Sequence, residues 1–397
     1  MTGQGEAPGS SEATRDPHAP VTGQAVRLAL VVALVGLVQT GAPPGWAVLA
    51  LFAVVVTLVA SARWRIDRWA VILLLIVGVG LRLVTSSGFS DVLVVTEAAI
   101  REMLAGLDPY GHGYPESVPP GAPFAYGPLA LLWYLPSLDD PGVMETLAAL
   151  VILVLLAVRG QALGLAVYAV TPAFVVVVTD GANDTTAGLL ILLALLAAVR
   201  WPIGGAALLA LAAAFKPYAL AWLPGLVGYA GALAPLLAFV AATVLIWLVP
   251  VLAWGADALL WSFRRADEIH AQPYYSLAYA LGNPESVPRA AWQALRVGAG
   301  VLVGVLSLLL VKSVAGLVMA GCLVFGATLF LGWWGTFAYF AAVAPVICWY
   351  LDEWLGLAGQ RVVWPGDPVR SVTTWADSRW PIRHPGESVM HPSLPSR

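Results

Sequence analysis

The chain has 397 residues, 60% of them hydrophobic and only 11% charged, with a formal net charge of -3 and a mean hydropathy of +0.83. So much apolar surface excludes a water-soluble globular domain, and so small a net charge gives no sign of a nucleic-acid partner. Repeated apolar runs of about 16–22 residues have the length that crosses a bilayer as helix, so the chain reads as an all-α polytopic membrane protein. The two cysteines, Cys322 and Cys348, fall inside apolar runs without metal-ligand or disulfide spacing and read as small core residues. No cofactor and no metal is expected.

Residues 1–25 are rich in Gly, Pro and Ser without periodicity and predict a disordered tail. Apolar runs follow over Val26–Gln39, Trp46–Ala62 and Trp69–Thr85. The turn between the second and third carries Arg63, Arg65 and Arg68 against one Asp67. Basic short loops stay in the cytoplasm, which puts the amino terminus inside and the next loop, residues 87–136, outside. Within that loop Ser90–Ala105 predicts an interfacial amphipathic helix, with Ser90 as N-cap, Gly106 at C′ and Val95, Ala98, Ala99 and Met103 as its apolar stripe.

Further runs cover Val143–Val158, Leu163–Val178, Leu189–Val199, Ile203–Phe215, Leu220–Tyr229 and Leu233–Val251. The Ile203 and Leu220 runs are short for full crossings. They are read as two elements instead of one kinked helix, because this keeps Lys312 and the arginine-bearing tail on the inner side. A second outer loop spans 254–290, with another interfacial helix over Asp257–His270. The last runs are Trp292–Val311, Val314–Leu331 and Phe337–Leu355, which makes about twelve crossings in all. Residues 357–397 form a Pro- and Arg-containing tail, expected in the cytoplasm like the amino terminus.

In this topology polar groups collect on the outer face. Each has a plain structural reading beside a functional one. Asp91 is either a helix-start acid favoured by the dipole or a base. Asn183 and Asp184 either cap the next helix or present oxygens to a ligand, a divalent cation being the lesser alternative. Lys216 is a snorkelling anchor or, standing where lysine is rare, a functional group. Arg264 and Arg265 greet lipid headgroups or hold a phosphate. His270 is structural or part of the site, and Tyr110, Tyr126 and Tyr218 belong to the interface belt or stack on a sugar. Together they comprise a proton-accepting carboxylate, phosphate-gripping cations and tyrosines at the lipid boundary. That set suits a transferase whose donor is a lipid-linked phosphate.

From about Arg82 to Trp349 the sequence resembles the GT-C class of membrane glycosyltransferases, and most of all glycosyltransferase family 87. The motifs that carry the resemblance are Asp91 with Thr96, Ala98 and Ala99, then Gly106-Leu107-Asp108-Pro109-Tyr110 and Phe124-Ala125-Tyr126-Gly127-Pro128-Leu129. Two more follow: the junction Asp180-Gly181-Ala182-Asn183-Asp184, and Ala212-Ala213-Ala214-Phe215-Lys216-Pro217-Tyr218. Thr96 stands where the family has an aromatic, the junction lacks the family's Gln, and two apolar runs precede the Asp91 loop instead of one.

The resemblance implies a GT-C-like bundle that transfers a hexose, most often mannose, from a polyprenyl-phosphate donor to a glycolipid or glycan of the cell envelope, with inversion. Asp91 is then the catalytic base. Lys216, Arg264, Arg265 and His270 hold the donor phosphate. Asp108, Tyr110, Tyr126, Asn183, Asp184 and Tyr218 contact the sugar or acceptor. The rivals are a lipid or solute transporter or flippase, which would need polar groups near mid-membrane, and a non-catalytic relative acting in envelope assembly.

Overall fold

Apolar runs become helices wherever no proline or glycine interrupts them. The computed structural model describes residues 22–85, 90–270, 272–282 and 287–365. Three antiparallel helices open the chain, α1 (Gln24–Gln39), α2 (Pro44–Ser61) and α3 (Asp67–Val84). After the first loop come α6 (Gly142–Arg159), α7 (Ala162–Val170), α8 (Pro172–Thr179), α9 (Asp184–Arg200) and α10 (Pro202–Phe215). The loop itself holds α4 (Val92–Leu104), a hairpin pairing Gly113–Tyr114 with Ala122–Pro123, and α5 (Pro128–Tyr134). The carboxy-terminal half comprises α11 (Leu223–Ala230), α12 (Ala234–Trp254), α13 (Ala256–Glu268), α14 (Leu277–Ala280), α15 (Arg289–Leu310), α16 (Val314–Phe330) and α17 (Tyr339–Trp354).

The chain is therefore all-α apart from one short hairpin among the described residues. Among the described residues four helices are long and apolar enough to cross a membrane, namely α2, α6, α12 and α15, or five if the bent pair α7–α8 is one span. The sequence had pointed to about twelve crossings. Part of the difference is length, since α1, α10 and α16 have only 16, 14 and 17 residues, and part arises where a proline cuts an apolar run. Pro172 has no N–H and forces Thr171 out of helical geometry, so the single run expected over Leu163–Val178 becomes two helices bent by 54°. Pro217 does the same to Lys216, which is extended at φ -147° and ψ 128°. The chain doubles back there through a 3-10 turn over Pro217–Trp222, and Tyr229 returns to the far end of α9, its hydroxyl donating to Val199 O.

Buried polar groups repair what the breaks leave. The carbonyl of Tyr168 would normally accept from residue 172, where proline has nothing to donate. Arg82, 3% exposed on α3, supplies the missing donor: Nη2 reaches Tyr168 O at 2.9 Å and Nη1 reaches Ala169 O at 3.1 Å. Asp352 on α17 accepts from Gly164 N at 2.8 Å and Leu163 N at 3.3 Å, capping the first turn of α7. The approach is close because Gly164 has no side chain: a Cβ there would lie 2.0 Å from Cys348 O. α7 is thus enclosed by α1, α3 and α17, and α9 by α6, α10 and α17, while α2, α12 and α15 turn most of their apolar side chains outward.

Ordered chain reaches into both expected tails, 1–25 and 357–397. Thr22 is buried and donates to Trp64 O at 2.6 Å, α1 begins at Gln24, and residues 358–365 fold back so that Val362 N donates to Gly160 O at 3.0 Å. The rest of both tails, and residues 86–89, lie outside the described residues.

Charged groups stand at both ends of the bundle, with Arg101, Lys216, Arg289 and Arg296 toward the Asp91 end. Arg63, Arg65, Arg68, Arg159, Arg200, Lys312 and Arg361 stand at the ends of α2, α3, α6, α9, α15 and α17 that lie away from Asp91. Asp91, Asp180 and Asp184 stand at the opposite end.

Candidate functional site

Backbone geometry at two proline-directed breaks brings distant parts of the chain together. Lys216 is forced extended by Pro217, so its side chain leaves the line of α10 and reaches the first turn of α9. Its Nζ donates to Asn183 Oδ1 at 2.6 Å and to Asp184 Oδ1 at 2.9 Å, and all three residues are almost fully buried, at 5%, 0% and 2% exposure. Asp184 is the acid in the first turn of α9, where the helix dipole favours it, and Lys216 neutralises it. Ammonium nitrogen has three donors and only two have carboxylate or amide partners. The remaining face of Nζ lies among aromatic rings, with Tyr218 at 4.7 Å, Tyr126 at 5.3 Å and Tyr339 at 6.0 Å to the centroids.

The first loop closes over this cluster. Ser90 N donates to Asp180 O at 2.6 Å, Leu93 N to Gly181 O at 3.1 Å and Gly127 N to Phe215 O at 3.2 Å. Gly127 is required there, since a Cβ would lie 2.0 Å from Ala214 O. Asp91 occupies the N-cap of α4 and is half-buried; its Oδ2 accepts from Val118 N at 2.8 Å. Ser90, expected as the cap, sits one residue earlier, and its hydroxyl accepts from Val92 N at 3.4 Å. Thr96 is buried and spends its hydroxyl on Val92 O at 2.7 Å, inside its own helix. Both Asp184 and Asp91 act electrostatically on the Tyr126 hydroxyl, which burial first of all holds well above the usual phenol range.

His270 comes to the same place from the second loop. Its ring stacks on Trp334 at 3.7 Å and 6°, and Trp334 in turn packs edge-on against Tyr339 at 6.1 Å. Burial, and then the nearby Arg289, push its ionisation below the usual imidazole range, while Asp91 pulls the other way. The imidazole is therefore neutral at neutral pH. Arg264 and Arg265 lie elsewhere: both are exposed on α13, and Arg265 faces Glu268 at 3.9 Å. The cations that face the His270 side are Arg289 and Arg296 on α15, neither singled out in the sequence. Arg296 pairs with Asp267 at 3.0 Å, and the Asp267 main-chain carbonyl accepts from Arg289.

Two predicted contact residues serve the loop itself. Asp108 Oδ1 accepts from Tyr110 N at 2.8 Å, an Asx turn. Tyr110 is 1% exposed, packs on Phe124 and Trp254 at 5.3 and 5.5 Å, and donates its hydroxyl to Tyr126 O at 3.0 Å. Tyr110 thus buttresses Tyr126 from behind. Tyr126 and Tyr218 are both half-buried, beside Lys216.

One acid escaped the sequence reading. Glu145, fully buried in the first turn of α6, accepts from the Tyr134 hydroxyl at 2.6 Å, from Thr186 N at 3.0 Å and from the Thr186 hydroxyl. It fixes the first turn of α9 from the side opposite Lys216. The available signal was a lone acid opening an apolar run, which in a membrane helix is rarely idle. Among the described residues no three His, Cys, Asp or Glu side chains converge.

Asp180 offers a titration that separates electrostatics from fold. Burial pushes its carboxyl up to about 6 from an ordinary 3.8, against the hydrogen bond from Ala182 N. A raised carboxyl favours the folded state only while protonated, so this contribution is complete below pH 3.8 and is lost as pH rises through about 6. Asp180→Asn should therefore match the natural protein in melting temperature near pH 4 and exceed it at pH 7.5, in the same detergent. An equal difference at both pH values would show that Asp180 ionisation does not couple to stability.

The chain matches no family model, no curated protein and no solved structure. Fold and hydropathy together define it as a helical membrane protein.

Proposed function

We propose that the protein is a membrane glycosyltransferase of GT-C type, transferring a hexose, with mannose the sugar proposed, from a polyprenyl-phosphate donor to an envelope glycolipid or glycan with inversion. In this reading the chain crosses the membrane about twelve times, counting short and broken helices, with both termini cytoplasmic and the Asp91 face outside. The observation that carries the reading is the gathering of Asp91, the Lys216–Asp184–Asn183 cluster and His270 at one end of the bundle, from separate parts of the chain.

The chemistry runs as follows. An acceptor hydroxyl attacks the anomeric carbon, its proton passes to the Asp91 carboxylate, and the bond from carbon to phosphate oxygen breaks. General-base help of this kind contributes about 10²–10⁴-fold. Negative charge grows on the departing polyprenyl phosphate, and fixed donors stabilise it: the remaining donor of Lys216, neutral His270, and Arg289 and Arg296 in preference to the exposed Arg264 and Arg265. Tyr126 and Tyr218 offer ring faces to the sugar. Asn183 and Asp184 act by holding Lys216, and Asp108 and Tyr110 by shaping the loop behind Tyr126.

A second reading has a specific observation behind it. Arg82 and Glu145 are ionisable and buried within α3 and α6, and α7–α8 is a broken helix, features that transporters also show. Arg82 Nη1 and Nη2 and the Glu145 carboxylate are hydrogen-bonded at helix ends, which favours the transferase. Purified protein in liposomes, given radiolabelled polyprenyl-phosphate mannose with and without a glycolipid acceptor, separates the readings. Label on the acceptor is the expected result. Label moved across the bilayer without transfer supports a transporter, and binding alone supports a non-catalytic partner.

A further inference from the structure

At the end of the bundle away from Asp91, two recesses adjoin. The first, about 870 Å³, lies between the start of α1, the turn before α3 and residues 359–363. Arg65, Arg68 and Arg361 line it against a single acid, Asp67. That acid is already engaged, accepting from Gly23 N at 2.9 Å and facing Arg65 Nε at 3.8 Å. The Arg65 side chain is 83% exposed. The second recess, about 360 Å³, is apolar and runs between α3 and α6, with Ile72 and Leu75 on one wall and Val154 and Val158 on the other.

One strip of chain joins them. Arg68 Nε donates to Val363 O at 2.9 Å at the edge of the basic recess, and the next residue, Trp364, roofs the apolar one with its Nε1 donating to Ala157 O at 2.8 Å. Trp64 and Trp69 stand exposed beside the arginines, at 63% and 69%, as aromatic side chains do at a membrane–water interface. Arginines that merely followed the charge bias of inner loops would need no recess and no apolar channel leading from it.

We infer that these two recesses form a binding site for one anionic phospholipid, the headgroup phosphate among Arg65, Arg68 and Arg361 and an acyl chain between α3 and α6. Guanidinium forks suit phosphate oxygens, and basic pockets at helix ends bind such headgroups. The site is separate from the Asp91 cluster and does not depend on the transferase reading. Its occupant would tie residues 359–365 to α3 and α6.

The full-length protein should be purified into phosphatidylcholine nanodiscs with or without phosphatidylglycerol, its retained lipid weighed by mass spectrometry and its melting temperature measured. Phosphatidylglycerol should be retained and raise the melting temperature by several degrees, while added inorganic phosphate should not. The double variant Arg65→Gln/Arg68→Gln should retain at least about tenfold less phosphatidylglycerol. Val158→Trp, which fills the apolar channel and spares the arginines, should lose retention as well. Equal stabilisation by phosphatidylcholine, full stabilisation by inorganic phosphate alone, or undiminished retention by the folded double variant would each overturn the assignment.

Discussion

Replacing Lys216 with methionine is expected to destabilise the protein by about 3–5 kcal/mol, because it strands the Asp184 carboxylate in a site with 2% exposure. The loss comes from the uncompensated charge, not from the missing contact. Asp184→Asn in the same chain should therefore restore most of the stability, since no charge then remains buried. Transfer should not return with it, because the remaining Lys216 donor is gone. Melting temperatures of the two single variants and the double variant, read as a cycle, check the first point, and turnover of the double variant checks the second. If the double variant were as unstable as Lys216→Met, the buried pair would not be what holds α9 to the end of α10.

Asp91→Asn should have the opposite signature. The wild-type carboxylate accepts a hydrogen bond from Val118 N, and an amide oxygen can accept the same bond. Folding should be spared and the melting temperature nearly unchanged. Turnover should fall by about 10²–10⁴-fold, the usual worth of a general base, because an amide cannot take the acceptor's proton. A Michaelis constant close to the wild-type value would accompany it, since the carboxylate acts on the transition state more than on bound substrate.

Much of the architecture was legible from hydropathy. Helix starts and ends agree with the apolar runs to within a few residues for α1, α2, α3, α6 and α15, since long unbroken runs leave the chain no alternative in a bilayer. The break at Lys216-Pro217 was also legible, because proline dictates the conformation of the residue before it. Pro172 carries the same signal, but the apolar run continues on both sides of it and hides the break. What could not be read was partnership. Nothing in the spacing says that Lys216 meets Asp184 or that His270 stacks on Trp334; these contacts are set by tertiary packing of helices far apart in sequence. For the same reason Arg264 and Arg265 stood out while Arg289 and Arg296 did not: adjacent arginines are conspicuous in a sequence, but the face of the helix decides which of them points inward. Asp108 and Tyr110 were conspicuous through their motif, and their work is to build the turn that supports Tyr126.

The slow Asp91→Asn variant also offers the most direct view of the site. Its structure should be determined by electron cryo-microscopy in nanodiscs with polyprenyl-phosphate mannose bound. The donor phosphate should lie beside Lys216 and His270, with the mannose between Tyr126 and Tyr218 and its anomeric carbon turned toward residue 91. Donor density on the outer faces of α12 and α15, or a phosphate at the opposite end of the bundle with residue 91 facing no substrate, would contradict the proposal.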